Sequence, residues 1–312
     1  MMPLVSADRL TPIDLPLERR RELAADAAHS ATTQWFGTPI EVRFALEEAA
    51  ELHRRRYARL PSEQPAELRG FAVADGTETL FWVEDGPAFR WHDRLGAGQT
   101  QFLADVVVRT DYFMERCPYL SFHAAAIETG GWAAAITARS EGGKTTTALA
   151  CVLRGMRLYS DERCIVDEGL VLPFPRAINV RAGSLDLLAA GHAPGDPGLG
   201  GRLAAHRGTD WAGVDYADIC GDATLPEPRP LRAVFFISGR APEPRIEPME
   251  LNAAVGALLS APLRGRVRGA GRVVEATALL RRAQPYALTL GTPAATAQAI
   301  EAFCADGARR CA

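Results

Sequence analysis

The chain has 312 residues, 47% hydrophobic and 23% charged, with a formal net charge of −3. That is ordinary for a folded soluble protein with enough apolar residues for one large core or two smaller ones. A charge this close to balance, with no basic run beyond LERRRE and LHRRRYARL, leaves no electrostatic footprint for nucleic acid, and no stretch approaches the roughly 20 apolar residues that cross a bilayer. The N-terminus lacks the apolar segment of a secretory signal. The six cysteines form no C-x-x-C pair and do not cluster with the six histidines. This argues against a zinc site and, at this length, against a disulfide framework. The expectation is a cytoplasmic protein with reduced thiols and neither a nucleic-acid nor a membrane partner.

Residues 1–110 read as a mixed α+β region, and residues 111–312 as a second domain of different texture. In the first, LERRRE and LHRRRYARL read as exposed helix faces. PIEVRFALEEAAELHRRRYARL starts as a strand and turns helical, with Leu46, Ala49, Ala50 and His53 at helical spacing. LRGFAVADGTETLFWVEDGPAFRWH alternates strand-like runs with turns at Asp75-Gly76 and Asp85-Gly86, the pattern of an antiparallel meander. GQTQFLADVVVRTDYFMER then reads as a helix. From Leu120, YLSFHAAAIET is one strand, Gly130-Gly131 a tight turn and WAAAITA a second strand. A glycine loop and a helix follow, with Ala148, Leu149, Val152 and Leu153 on one face and Gly155 at its end. RLYSDERCIVDEGLVLPFP supplies further strands, and residues 189–213, rich in Gly and Pro, form the longest apparent loop. Strands LRAVFFIS and PYALTLG and helices near MELNAAVGALLSA and TPAATAQAIEAF complete the chain.

The stretch ITARSEGGKTTTAL nearly spells the phosphate loop G-x-x-x-x-G-K-[ST]. Such a loop needs a strand that ends abruptly, backbone N–H groups curling round an anion, and a helix N-terminus pointing at it. The strand, loop and helix occur here in that order. The expected nucleotide-binding residues are Ala138, Ser140, Glu141, Gly142, Gly143, Lys144, Thr145 and Thr146. Gly142 and Gly143 permit close backbone approach, Lys144 can reach the β- and γ-phosphates of ATP, and the Thr145 hydroxyl can ligate Mg²⁺. Ala138 stands where the first glycine belongs, which the backbone tolerates at negative φ. Glu141 places a carboxylate where a triphosphate would repel it unless it points to solvent. The alternative reading is a plain strand–turn–helix with a solvated lysine.

Asp161 and Glu162 end the strand after the loop helix, Asp161 seventeen positions beyond Lys144. Successive strand residues face opposite sides, so both carboxylates enter one site only if the strand ends between them. One can then accept a substrate hydroxyl proton while the other helps hold Mg²⁺; at a surface strand end the pair would do neither. His123, in SFHAAAI, is either a satisfied core residue or a site residue, with its strand paired to the one entering the loop. Arg176 in PFPRAINV, with Arg181 beyond it, can neutralise a transferring phosphoryl group or lie on the surface.

Together, HAAAI, the glycine turn, ITARSEGGKTTTALACVLRGMRLYSDE and LPFPRAINV resemble the HPr kinase/phosphorylase superfamily, nearest to its HPr-kinase-related branches beside peptide-modification and exosortase gene clusters. The resemblance covers residues 117–185 well and the remainder loosely. It implies an α/β (α+β) fold like phosphoenolpyruvate carboxykinase: a mixed, largely antiparallel sheet with a P-loop, beside the smaller N-terminal α+β region. It also implies Mg²⁺-ATP-dependent phosphorylation of a serine hydroxyl. By that resemblance Lys144 and Thr145 match the nucleotide and metal residues, Asp161 the base, Glu162 the neighbouring acid and metal ligand, and His123 the family histidine. Arg176 joins the catalytic group, and a homo-oligomer fits the family's habit. The chain departs from the family at Ala138 and Glu141, which occupy glycine positions, and at Thr145, where serine is usual. The segment that grips HPr is not recognisable, so neither HPr nor phosphorolysis is expected.

The expected function is an ATP-dependent kinase acting on a Ser or Thr hydroxyl of a peptide in a biosynthetic pathway, by analogy with lasso-peptide tailoring kinases. Residues 189–213 would serve as lid or clamp and residues 1–110 would recognise substrate. The alternatives are a degenerate nucleotide-binding scaffold, and a kinase of a small hydroxylated metabolite such as serine.

Overall fold

The structure is a computed structural model that describes residues 10–75, 78–91, 119–139, 142–178, 180, 182–190, 214, 218, 226–260 and 269–311. The chain divides into two compact units, Met1–Glu115 and Arg116–Ala312. The expected helix over GQTQFLADVVVRTDYFMER lies outside the described residues, as do Ser140, Glu141, Arg181 and the Gly/Pro-rich run 191–213.

The first unit is built on a six-stranded sheet. Its elements are β1 (Leu10–Ile13), α1 (Leu17–Asp26), β2 (His29–Trp35), β3 (Thr38–Phe44), α2 (Glu47–Arg56), β4 (Leu68–Asp75), β5 (Glu78–Val83) and β6 (Ala88–Trp91), with strand order β1-β6-β5-β4-β3-β2. The expected meander is β4-β5-β6: Asp75 faces Glu78 across the first turn, and Gly86 N–H donates to the Val83 carbonyl in the second at 3.0 Å. β3 and β4 run parallel because α2 intervenes as a crossover. Ala49, Ala50 and His53 bury that helix against β2 and β3, whereas Leu46 stands before its first turn and is exposed. On the other face, α1 packs Leu23 into a core with Phe71, Leu80 and Trp82. The Arg20 guanidinium ties α1 to the β5–β6 turn through the carbonyls of Val83 (3.2 Å) and Gly86 (2.8 Å).

The second unit carries the motifs. Its strands are β7 (Leu120–His123), β8 (Ala125–Thr129), β9 (Trp132–Thr137), β10 (Arg157–Ser160), β11 (Arg163–Asp167), β12 (Leu170–Leu172), β13 (Arg229–Arg240), β14 (Arg245–Pro248) and β15 (Gln284–Leu290). Its helices are α3 (Lys144–Val152), α4 (Ala182–Ala190), α5 (Leu251–Ser260), α6 (Gly271–Arg282) and α7 (Pro293–Cys311). The nine-stranded sheet is mixed: the order is β10-β8-β9-β13-β12-β11-β7, with β15 on β13 and β14 on β15. β9–β13 and β13–β15 are parallel, and the other pairings are antiparallel. Every residue of β9 is buried, since alternate side chains serve opposite faces. Ala134 and Ile136 join Phe235, Leu288 and residues of α3 and α7 in one core. Ala133 and Ala135 join Val234, Phe236 and residues of α5 and α6 in the other. The fold is therefore an α/β unit with helices on both sides of a mixed sheet.

Two features position the site. Gly130 and Gly131, at φ 60° and 84°, make the tight turn that sets β8 against β9, with Thr129 opposite Trp132. The expected single strand from Leu120 to Thr129 is instead two, parted at Ala124: β7 pairs β11, and β8 pairs β10 and β9. Its neighbour, the run from Arg157 to Asp167, parts at the same level, with Ala126 opposite Ser160 and His123 opposite Arg163. Two antiparallel chains thus kink together, and the sheet splits there.

Candidate active site

The split leaves backbone groups of Asp161 and Glu162 outside the ladder, and side chains take over their hydrogen bonds. The Ser160 hydroxyl accepts from the N–H groups of Glu162 (3.3 Å) and Arg163 (3.1 Å), fixing the bend. The Asp161 carbonyl accepts from Lys144 Nζ at 2.9 Å. β10 ends at Ser160, so the acidic pair occupies a bend rather than a strand. This removes the alternation that would have sent the two carboxylates to opposite faces.

Both carboxylates reach one guanidinium. Arg176 Nη2 lies 2.6 Å from Glu162 Oε2 and 3.4 Å from Asp161 Oδ1. The segment carrying Arg176 is held beside β10, where Phe174 N–H donates to the Tyr159 carbonyl at 2.9 Å, and Phe174 and Ile178 are buried on either side. Asp161 is 2% exposed and Arg176 7%, so this pairing sits in a low-dielectric setting where its attraction is strong. Asp161 Oδ2 is buried and, among the described residues, has no hydrogen-bond partner. A buried carboxylate oxygen left unpaired is costly, and a ligand proton could fill it.

His123 belongs to the same cluster with β11, not β9 as expected, as its ladder partner, while Thr137 Oγ1 at the end of β9 donates to its carbonyl at 3.0 Å. It faces Arg163 in the ladder, and its Nδ1 lies 3.8 Å from Glu162 Oε1. The break at Ala124 is the cause, since it hands β7 to a different partner. Burial first, and the Lys144 charge second, lower the His123 pKa to about 4, with Arg163 and Arg176 adding and Glu162 opposing. The imidazole is therefore neutral near pH 7, and its approach to Glu162 is not an ion pair. Burial likewise holds the Lys144 ammonium below its ordinary value, against the pull of Glu162 and Asp161.

The glycine turn lies at the end of β9 and opens α3. Gly143 is the residue before the helix, at φ 100°, and as a glycine it brings no side chain to cap the first-turn N–H groups. A Cβ on Gly142 would stand 2.7 Å from that of Ala138 and 2.9 Å from the Arg139 carbonyl oxygen. On Gly143 it would stand 2.9 Å from Leu290 Cδ1. Both positions therefore need glycine. Ala138 fits as its methyl packs against the bare Gly142. Thr146, in the first turn, donates from Oγ1 to Ser184 Oγ at 2.9 Å, which brings the first turn of α4 alongside that of α3. Thr145 is half-buried at the same end.

The structure thus gathers Lys144, Asp161, Glu162, Arg176 and His123, with Gly142, Gly143, Thr145 and Thr146 at the attached helix start. Ser140 and Glu141 fall outside the described residues. Arg163 and Ser160 were not anticipated; their signal is the polar frame SDER itself, in which serine before an acidic pair marks a side-chain-capped bend. Ser184 carried no signal, because α4 was not expected. Among the described residues no three His, Cys, Asp or Glu side chains gather to hold a metal ion, and no helix is long and apolar enough to cross a membrane. Cys151, Cys164 and Cys304 are free and buried.

No protein-family model and no curated protein matches the sequence. Among solved structures, the chain is similar to the HPr(Ser) kinase/phosphatase from Coxiella burnetii at 13% identity, over 52% of this chain and 93% of the other, with a TM-score of 0.22. At that score the assignment of the fold stays with the strand order and pairings described above.

Proposed function

We propose that the second unit is an ATP-dependent kinase that transfers a phosphoryl group to a Ser or Thr hydroxyl of a peptide in a biosynthetic pathway. The observation that carries the reading is the buried Oδ2 of Asp161, without a hydrogen-bond partner among the described residues, beside a lysine that opens a helix from a glycine N-cap. The family resemblance of HAAAI, GGKTTT, LYSDE and PFPR supports it, and with it a sheet of phosphoenolpyruvate-carboxykinase type.

The residues fit Mg²⁺-ATP. The backbone at Gly142 and Gly143 has no room for side chains, the first turn of α3 starts from a glycine with no capping side chain of its own, and Lys144 adds a cation. Mg²⁺-ATP would supply the phosphoryl group and a divalent charge on its oxygens. Thr145 and Glu162 would hold the ion, a small ligand set of the kind Mg²⁺ accepts when phosphate and water complete its shell. Glu162 is 36% exposed at its side chain and already bonded to Arg176, so holding the ion means sharing that carboxylate.

Asp161 is the base. Arg176 engages Oδ1, which leaves Oδ2 to accept the hydroxyl proton. Arg176 then stands beside both the base and the acid, where its charge offsets negative charge at the transferring group. Neutral His123 can accept or donate one hydrogen bond without adding positive charge. Lys144 holds the Asp161 main chain, and so the direction of its side chain.

The test is direct. Protein incubated with γ-labelled ATP and a panel of serine- and threonine-containing peptides, free serine and related metabolites should label a peptide hydroxyl, identified by mass spectrometry. Label on a metabolite alone would move the acceptor class. Nucleotide binding with no transfer to any hydroxyl would favour a scaffold.

A further inference from the structure

Arg240 closes β13, beyond the strand LRAVFFIS that the sequence displays. β9, β13 and β15 run parallel, so their carboxyl ends lie on one edge of the sheet. β9 runs from that edge into the glycine turn, and Arg240 pairs with Leu290 at the same edge. The guanidinium leans on the turn: a Cβ on Gly143 would stand 3.2 Å from Arg240 Nη2. Ligands of open α/β sheets sit outside the carboxyl ends of strands, which is where this arginine ends.

The electrostatics are unbalanced. Gly143 is the residue before α3, so the guanidinium lies against the positive end of a helix whose N-cap, a glycine, brings no side chain to its first-turn N–H groups. Lys144, the next residue, adds a second cation. Arg240 is exposed and, among the described residues, makes no ion pair. A cation placed beside a helix N-terminus, with no carboxylate among the described residues paired to it, is stabilised when an anion occupies the space between them. Separately, the buried Asp161 Oδ2, on the residue whose carbonyl Lys144 holds, has no hydrogen-bond partner among the described residues and calls for a donor such as an acceptor hydroxyl, not for an anion.

We infer that Arg240 is a phosphate-binding residue, clasping the phosphate chain of the nucleotide from the side of the glycine turn opposite to the acidic pair. The inference rests on the nucleotide-binding reading of the turn and adds a contact from a remote strand. A planar guanidinium can hold two phosphate oxygens at once, which a lysine cannot.

Equilibrium binding of ATP, inorganic tripolyphosphate and adenosine to wild type, Arg240→Ala and Arg240→Lys tests it without any turnover. Arg240→Ala should weaken ATP and tripolyphosphate alike, by about tenfold or more, as expected for loss of charge-assisted hydrogen bonds. Arg240→Lys should recover part of that loss, and adenosine should not respond. Arg232→Ala, an exposed charge on the same strand away from the turn, should change nothing. An unchanged melting temperature for Arg240→Ala shows that the fold is intact. Equal affinities in wild type and Arg240→Ala overturn the inference. So does loss for ATP with none for tripolyphosphate, which would place the arginine on the base. If wild type binds tripolyphosphate through Arg240 but not ATP, the phosphate assignment stands and the nucleotide reading fails. If it binds neither, both fail.

Discussion

Lys144 and Asp161 are joined through the main chain: the ammonium donates to the Asp161 carbonyl at 2.9 Å, while the carboxylate of the same aspartate faces Arg176. The lysine thereby secures a bend that two kinked strands leave without ladder partners. Lys144→Met, which keeps the aliphatic stem but loses the donor, should lower stability to urea by about 1–2 kcal/mol, the cost of an unsatisfied buried carbonyl. Unchanged stability would show that the lysine does not hold the bend.

Arg176 is the cation for a buried carboxylate and a half-exposed one. Arg176→Met should destabilise by about 3–5 kcal/mol, because it strands the Asp161 charge away from water. Adding Asp161→Asn should give much of that back. A double-mutant cycle reads the coupling, and simple additivity would mean that the 3.4 Å contact carries none.

Gly143 and Gly155 both have positive φ, at 100° and 93°, but only Gly143 is crowded. Gly155→Ala should cost about 1–2 kcal/mol of left-handed strain. Gly143→Ala should cost at least about 1 kcal/mol more, for contact with Leu290 and Arg240, and should also weaken ATP binding. Equal melting temperatures for the two variants would contradict the packing described for the turn.

The depressed pKa of His123 gives a pH signature. Between the unfolded value near 6.5 and the folded value of about 4, the unfolded chain binds a proton that the folded one does not. Stability should therefore fall as pH drops through that window. From pH 7 to 5 the loss assigned to His123 should be about 1–2 kcal/mol. Urea unfolding of wild type and His123→Asn over that range isolates it, and parallel curves would remove His123 from the buried cluster.

Much of the second unit was legible from local pattern. The glycine pair at 130–131, the apolar face of α3 and the acidic pair after β10 each follow from residues adjacent in sequence. The failures share one cause, which is control by distant partners. LSFHAAAIET reads as one apolar run, and only the pairing of its halves with β11 and with β9 and β10 reveals the break at Ala124. Helix α6 opens with glycine and two exposed valines, Val273 and Val274, a poor helical signal that burial of Ala276, Leu279 and Leu280 overrides. β2, HSATTQW, is too polar to read as a strand, yet Ala31, Thr33 and Trp35 alternate inward against the core. Arg240 is brought to the turn by strand order, which no spacing in the sequence encodes.

The central claim is that Asp161 is the base of a phosphoryl transfer whose nucleotide is held elsewhere, by the glycine turn and Lys144. The most direct measurement pairs ATP affinity with transfer of labelled phosphate to a hydroxyl acceptor in Asp161→Asn, a near-isosteric change. The account predicts ATP affinity close to wild type and transfer reduced by about a hundredfold or more. Transfer at the wild-type rate in Asp161→Asn would contradict it.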